Sequence, residues 1–291
     1  MKFPLSKYIW FDGKLVPVNM AKVPVTTHAI HYGTSIFEGI RAYWNSNLYV
    51  FRLKDHVKRF RNSGKFYNIK LNFSDRQIEN AVIDLCKKNK IKKSCYIRPF
   101  YFVGQYGINF HVTQKAPTHT AIFAFPFGDL FNKSGITATI SKWRKFSDMS
   151  TPTQAKMGGN YLNSILATQD AKQRGFDEAI LLDQSGNVSE APGENIFLVK
   201  NNMLVTPSLS SSALDGITRR SIITLAKDMK LKIKTQKVSK KELKMADEIF
   251  LSGTAAEITP IIKIDKKKIG EGKVGNVTKL FMATYSDIVK I

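Results

Sequence analysis

The chain has 291 residues, 43% hydrophobic and 11% aromatic, enough to build a sizeable core in one large domain or two ordinary ones. Its formal net charge of +22 brings nucleic acid, acidic membrane surfaces and anionic metabolites into view as partners without choosing among them. The only cysteines, Cys86 and Cys95, form neither a CxxC pair nor a metal-ligand spacing, which excludes a disulfide framework or a zinc site as the organising device.

Taken in chain order, the opening MKFPLSKYIWFDG lacks the charged, apolar and small-residue succession of a signal peptide. No apolar run approaches the ~18 residues of a membrane span. A cytoplasmic protein with reduced thiols is therefore expected. Alternating segments IWFDGKLVPV (Ile9 to Val18) and LYVFR (Leu48 to Arg52) predict strands broken by Gly and Asn turns. Val57, Phe60 and Phe66 predict a helix over Leu53 to Tyr67. A second helix should open at Ser74, with Gln77 completing a capping box and Ile78, Val82 and Leu85 forming one apolar face beside Cys86. SCYIRPFYFV (Ser94 to Val103) and HTAIFAFPF (His119 to Phe127) are strong β segments. GDLFNKSG (Gly128 to Gly135) has turn residues and little periodicity, so the connection between domains is placed there.

Beyond it, ITATISKW leads into TQAKMGGNYL and a helix. Further strands are predicted at Glu178 to Asp183, Asn195 to Lys200, Asp247 to Gly253 and Ile258 to Ile264, with helices near Ile217 to Met229 and Lys273 to Lys290. Strands and helices do not alternate strictly, which favours a mixed α and β architecture over a doubly wound sheet. The lysine runs KKNKIKK (Lys87 to Lys93) and IKIDKKK (Ile262 to Lys268) carry no interleaved aromatics and read as solvated faces, so no nucleic-acid partner is expected.

Four stretches carry candidate chemistry. In TQAKMGGNYL, Lys156 stands between Ala155 and Met157, uncharged company in which a lysine amine can lose proton affinity and act as a nucleophile. Gly158 and Gly159 clear room for a flat ligand, and Asn160 is a natural helix start. LLDQSGNVSEAPGENIFLV sets Glu190 and Glu194 after a turn between two β segments, where a carboxylate can be held against a ring. SALDGITRRS places Gly216 before Ile217 and Thr218 at a helix start, whose free amides suit an anion. LSGTAAEITP ends a strand in the small-residue turn Gly253, Thr254, Ala255 and Ala256, able to present backbone donors. Each of these features alone is commonplace. Together they supply an amine for an aldehyde, an acid for a ring nitrogen and amides for a phosphate.

Six ordered blocks, HYGTSIFEGIRAY (His31 to Tyr43), YIRPFYFVG (Tyr96 to Gly104), AKMGGNYLNS (Ala155 to Ser164), SEAPGENIF (Ser189 to Phe197), LDGITRRSI (Leu214 to Ile222) and SGTAAEITP (Ser252 to Pro260), closely resemble the branched-chain amino acid aminotransferases, fold-type IV pyridoxal phosphate enzymes, along essentially the whole chain. The resemblance implies an α+β, two-domain fold. A smaller N-terminal α/β domain would span residues 1–129, a linker 130–136, and a larger C-terminal pseudo-barrel domain carrying the cofactor lysine 137–291, with the cofactor between domains. It implies pyridoxal 5'-phosphate as cofactor, joined to Lys156 as a Schiff base, with the freed amine then shuttling the substrate proton. Glu190 would serve the pyridine nitrogen and Tyr161 the phenolic oxygen. Arg59, the amides of Ile217 and Thr218 and the Thr254 hydroxyl would hold the phosphate, while Glu194 is structural. For substrate, the resemblance assigns Tyr96 and the turn at Thr254, Ala255 and Ala256 to the α-carboxylate. It assigns Arg98 to the distal carboxylate of glutamate or 2-oxoglutarate. Phe37, Phe127 and the neighbouring subunit's Tyr32 would form apolar walls. Phe127 and Leu130 stand where related bacterial enzymes often carry Trp and Tyr.

The implied reaction exchanges amino groups between L-leucine, L-isoleucine or L-valine and 2-oxoglutarate, giving branched-chain 2-oxo acids and L-glutamate. The implied assembly is a homodimer at minimum, with a hexamer of dimers beyond it, and no membrane or metal is involved. Rival readings are a D-amino acid aminotransferase or aminodeoxychorismate lyase of the same fold, a fold that holds cofactor without turnover, and a basic nucleic-acid-binding protein. HYGTSIFEGIR with Tyr96 and Arg98 favours the L-branched-chain reading, and the intact Lys156, Glu190 and Arg59 set opposes the last.

Overall fold

A computed structural model describes residues 6–290 of the chain. The stretch read above for a leader begins in the first five residues and to that extent lies outside the described part. The chain divides into two compact units. One comprises the chain through Gly128, the segment Ala155–Gly159 and the last residues from Val289; the other comprises Asp129–Gln154 and Asn160–Ile288.

The first unit opens with a hairpin of β1 (Tyr8–Phe11) and β2 (Lys14–Pro17), whose turn at Asp12 and Gly13 has positive φ at both residues. There follow α1 (His28–Tyr32), β3 (Ser35–Phe37), β4 (Ile40–Asn45), β5 (Asn47–Val50), α2 (Leu53–Lys65), α3 (Asp75–Lys88), β6 (Cys95–Val103) and β7 (Thr118–Pro126). Their sheet runs β2-β1-β7-β6-β4-β5, with β3 also paired to β6, and all of these pairings are antiparallel. The α3 start is capped as its sequence predicts: the Gln77 amide donates to Ser74 Oγ, and the Ser74 amide to the Gln77 side chain. Ile78, Val82 and Leu85 are fully buried, and Cys86 lies beside them as a free thiol. One expected core residue is not in the core. Phe66 lies just past the end of α2 and is exposed, because the helix stops at Lys65 before another turn can carry that ring inward.

The second unit is built on a mixed sheet. Its elements are β8 (Ile136–Arg144), α4 (Tyr161–Gln173), β9 (Glu178–Leu182), β10 (Asn195–Lys200), β11 (Met203–Pro207), α5 (Ile217–Asp228), β12 (Ile233–Gln236), α6 (Lys240–Lys244), β13 (Glu248–Gly253), β14 (Glu257–Ile264), β15 (Lys267–Lys268) and α7 (Asn276–Ile288). The strand order is β12-β11-β10-β13-β14-β8-β9, with β15 on β14. The pairs β11–β12, β14–β8 and β8–β9 are parallel; the others are antiparallel. The unit's main core cluster is aliphatic, with Ile180, Val188, Ile196, Leu251 and Ile264 fully buried, and a packed group of Phe197, Phe250 and Phe281 is fully buried as well. At roughly 1.5–3 kcal/mol for each fully buried aliphatic side chain, this layer fixes the strand register from which the loops depart.

The segment Ala155–Gly159 is the most informative departure from chain order. Although it lies between stretches of the second unit, its backbone pairs with the first. Met157 bridges Ile36, the Phe37 amide donates to the Lys156 carbonyl at 3.1 Å, and the Gly159 amide donates to the Gly33 carbonyl at 3.1 Å. Gly33 (φ +66°) and Gly159 approach so closely that a Cβ at Gly33 would meet the Gly159 Cα at 2.9 Å. The lysine assigned from sequence to the second domain is thus anchored by main-chain hydrogen bonds to the first unit.

Candidate active site

In the first unit, Lys156 is the centre of a cluster drawn from α2, β3 and β6. Its amide donates to Ser63 Oγ on α2 at 3.0 Å, which together with the bond from Phe37 fixes the main chain on both sides of the Cα. Its amine lies 4.9 Å from the centre of the Phe37 ring, and the Arg98 guanidinium lies 4.6 Å from the same ring. Burial and the nearby Arg59 guanidinium push the Lys156 amine down to about 8, outweighing the opposing pull of Glu38. Near neutrality a minor fraction is therefore neutral and nucleophilic, far more than for a lysine of ordinary proton affinity.

Glu38 links this lysine to Arg59. It is fully buried at the end of β3 and accepts from Arg59 Nε at 2.6 Å, from Arg59 Nη2 at 2.9 Å and from His56 Nδ1 at 2.8 Å. Burial by itself would raise this carboxyl, but Arg59 and His56 hold it far below the usual carboxylate range. Burial pushes His56 below its ordinary value despite the pull of Glu38. As a neutral imidazole facing an ionised acceptor, it carries its proton on Nδ1. The fork between Glu38 and Arg59 sets the plane of the guanidinium.

Further predicted substrate residues of this unit gather on β6, Tyr96 and Arg98, and just past the end of β7, Phe127. Arg98 Nη2 donates to the Tyr96 hydroxyl at 3.2 Å, and Arg98 Nε is buried without a hydrogen-bond partner among the described residues. The Tyr96 ring packs at 5.4 Å on Phe127, over which Arg41 stacks. Gly39 is required beside it, since any Cβ there would collide with the Tyr96 hydroxyl. Tyr32 is not drawn into this group; its ring packs on His28 and Phe110.

The second unit carries the other half of the predicted set. Glu190, 5% exposed, accepts from Lys145 Nζ at 2.6 Å on one oxygen, and from Asn195 Nδ2 at 3.1 Å and the Leu214 amide at 2.9 Å on the other. Asn195 also donates to the Leu214 carbonyl, tying the carboxylate to the loop that opens α5. Gly216 is the N-cap of α5, without a side-chain cap, and a Cβ there would strike the Asn195 side chain. Ile217 and Thr218 form the first turn of α5 and are buried. Directly across from Asn195 in the sheet is Ser252, whose buried hydroxyl has no hydrogen-bond partner among the described residues. Next in the chain, Gly253 leads to the turn at Thr254, Ala255 and Ala256. Tyr161 begins α4 and favours the charged form of Lys145. Glu194 is a backbone fixture, its carboxylate accepting from the Gly193 amide.

Sequence reading missed Glu38, His56, Lys145 and Asn195. For Glu38 and Asn195 a signal was present, since both lie within the quoted blocks. His56 and Lys145 had none beyond their type. Among the described residues no group of His, Cys, Asp and Glu is arranged to hold a metal ion, and no helix is long and apolar enough to cross a membrane.

The amino-transferase class IV family model matches residues 35–264. A branched-chain-amino-acid aminotransferase of Salmonella typhimurium is 44% identical over 285 residues, covering 96% of this chain and 92% of the relative. The crystal structure of the Escherichia coli branched-chain amino acid aminotransferase superimposes with a TM-score of 0.95 at 42% identity, covering 98% of this chain and 95% of that one. The branched-chain amino acid aminotransferase from Thermobaculum terrenum, solved in its PLP-form, superimposes with a TM-score of 0.93 at 33% identity, covering 98% of this chain and 94% of that one. With the match spanning nearly the whole chain in both sequence and structure, this protein belongs to the class IV aminotransferases, in the branched-chain-amino-acid aminotransferase family.

Proposed function

We infer that the protein is a pyridoxal 5'-phosphate-dependent transaminase that exchanges amino groups between L-leucine, L-isoleucine or L-valine and 2-oxoglutarate. The single observation that carries the reading is the Lys156 amine, pushed down to about 8 in a main-chain setting fixed on both sides.

The residues present fit the cofactor by their donor chemistry. An amine of lowered proton affinity suits an aldehyde, and a cation-paired carboxylate suits a ring nitrogen. An α5 start with no side-chain cap and a guanidinium held in plane by Glu38 suit a phosphate. Lys156 would hold pyridoxal phosphate through its amine, Glu190 its pyridine nitrogen and Tyr161 its phenolic oxygen. Arg59, the Ile217 and Thr218 amides and the Thr254 hydroxyl would hold its phosphate. When bound, the group supplies an electron-withdrawing ring that acidifies the substrate α-C–H. The Lys156 amine, when not joined to the group, would be the base that accepts the substrate α-proton, a task for which an amine of lowered proton affinity is suited. Glu190 would favour the charged form of the ring nitrogen.

Tyr96 and the turn at Thr254, Ala255 and Ala256 would receive the α-carboxylate, and Phe37 and Phe127 would cover an aliphatic side chain. Arg98, with one buried N–H lacking a partner, would take the distal carboxylate of 2-oxoglutarate, easing the conflict between an apolar and an anionic occupant of one pocket. Leu162, Ile165 and Leu166 are exposed together on α4, an apolar face that supports assembly with a second copy, to which Tyr32 would lend a wall. A cytoplasmic location and the absence of a nucleic-acid partner complete the reading.

The test is a panel of L- and D-amino donors with 2-oxoglutarate. Glutamate formation from the L-branched-chain donors, with D-donors inactive, is the expected result. Preference for a D-donor would replace this reading with the D-amino acid aminotransferase one.

A further inference from the structure

We propose that Lys145 is a positioning residue for transamination: it holds Glu190 as an oriented carboxylate, so that the proton shared with the cofactor ring stays on the ring. The proposal rests on the assignment of Glu190 to the ring nitrogen made above.

Glu190 is buried, and two of its three donors are neutral N–H groups, from Asn195 and Leu214. Desolvation drives such a carboxyl toward its neutral form, and neutral donors only partly oppose this. Lys145 Nζ, 2.6 Å from Oε1, is the direct cationic contact, and both side chains are shielded, at 15% and 6% exposure. The effect is mutual. Burial would strip the proton from the Lys145 amine, but Glu190 holds it above its ordinary value.

The other ionisable groups acting on this pair are few. Tyr161 favours the Lys145 cation, while Arg219, which also feels Glu190, lies 3.7 Å from Asp215 and divides its charge with it. The lysine is delivered by fixed main chain. Just beyond β8, the Lys145 amide donates to the Leu182 carbonyl at 2.8 Å, and the Lys145 carbonyl accepts from Gln184 Nε2 at 2.8 Å. Both backbone groups are held, so its amine is aimed at Glu190 by the sheet rather than by a mobile surface loop.

The consequence concerns where one proton resides. A carboxylate paired at 2.6 Å with the Lys145 cation and fixed by two further donors is oriented as an acceptor, so a proton between it and a ring nitrogen is favoured on the nitrogen and keeps the ring an effective electron acceptor. With a neutral residue at 145, Glu190 gains proton affinity, the proton shifts toward the carboxyl and Lys156 faces a less acidic α-C–H. The contacts expected for phosphate and substrate are unchanged.

The experiment compares Lys145→Met and Lys145→Arg in the full chain loaded with pyridoxal phosphate, following single turnover with L-leucine between about pH 6 and 9. For Lys145→Met, the turnover rate should fall about tenfold or more at pH 7, equivalent to at least one unit of carboxyl proton affinity, with leucine KM within about threefold of wild type. The deficit should shrink as pH falls, because a second proton can then occupy the ring nitrogen beside the neutral carboxyl. Lys145→Arg should stay within about threefold of wild type because it restores the cation. If the Met variant does not fold, Lys145→Gln takes its place. Independently of activity, infrared spectra of the cofactor-free full chain at pH 7 should show a protonated-carboxyl band in Lys145→Met that is absent from wild type and from Lys145→Met/Glu190→Gln. A Met variant with wild-type turnover, a loss shared by Met and Arg and flat across pH, or no such carboxyl band would each overturn the proposal. Should wild type fail to turn over leucine, the proposed function falls by itself, and the infrared comparison still judges the pair.

Discussion

Lys156 and Lys145 have the same side chain and opposite fates. In the first unit, burial and Arg59 lower Lys156 to about 8, while the carboxylate acting on it, Glu38, is already engaged by Arg59 and His56. In the second unit, Lys145 is also shielded, yet a carboxylate 2.6 Å away raises it. Burial pushes both amines in the same direction; what differs is that Glu38 is already engaged by another cation, Arg59, whereas the other partners of Glu190 are neutral amides. A nucleophile and a fixed cation are thus made from one residue type by the hydrogen-bond commitments of its neighbours, and the comparison can be broken at several points.

The largest effect should come from Lys156→Ala. Removing both the amine that holds the cofactor and the group that moves the α-proton should cost about a thousandfold or more in transamination and abolish the visible absorbance of the bound cofactor. Retained colour and turnover would mean that another lysine does this work. Next is Glu38→Gln, which keeps the shape but leaves Arg59 facing a neutral amide in a buried site. It should cost roughly 3–5 kcal/mol, seen as a melting temperature lower by several degrees. An unchanged melting temperature would show that the Glu38–Arg59 fork contributes nothing net.

Arg98→Met should weaken 2-oxoglutarate about tenfold relative to leucine in kcat/KM, as expected when one charge-assisted hydrogen bond is lost. Equal losses on both substrates would remove its distal-carboxylate role. The smallest effect is one of pH. In the cofactor-free protein, the Lys156 amine is protonated below about 8 and neutral above it, so the rate of pyridoxal phosphate capture should rise with pH and reach half its plateau near 8. A rate flat between about pH 7 and 9 would contradict the lowered amine. Because Glu38 acts to raise Lys156, Glu38→Gln should move the half-point lower.

How much of this was legible in the sequence follows from the range of each interaction. The α3 cap was readable because Ser74 and Gln77 bond over three residues, and β6 because its β-branched and aromatic run is local. The short strands β4, β11 and β12 were not, since they owe their order to partners rather than to their own composition; β12 pairs in parallel with β11 only after the chain has crossed through α5. Phe66 was misread because periodicity does not say where a helix stops. At the site, the lysine, the glutamate and the α5 start stood in recognisable blocks. Lys145 meets Glu190 across 45 positions, with a separation that no local pattern encodes. His56 meets Glu38 across 18, one neutral ring on a helix otherwise rich in cations. These supporting residues set the proton affinities of the chemical ones, and only the fold brings them into register.

The most direct measurement is borohydride reduction of the full chain loaded with pyridoxal phosphate, followed by peptide mass analysis. The account predicts a single phosphopyridoxyl tag on the peptide containing Lys156, with Lys145 unmodified. A tag on Lys145, or none on Lys156, would contradict it.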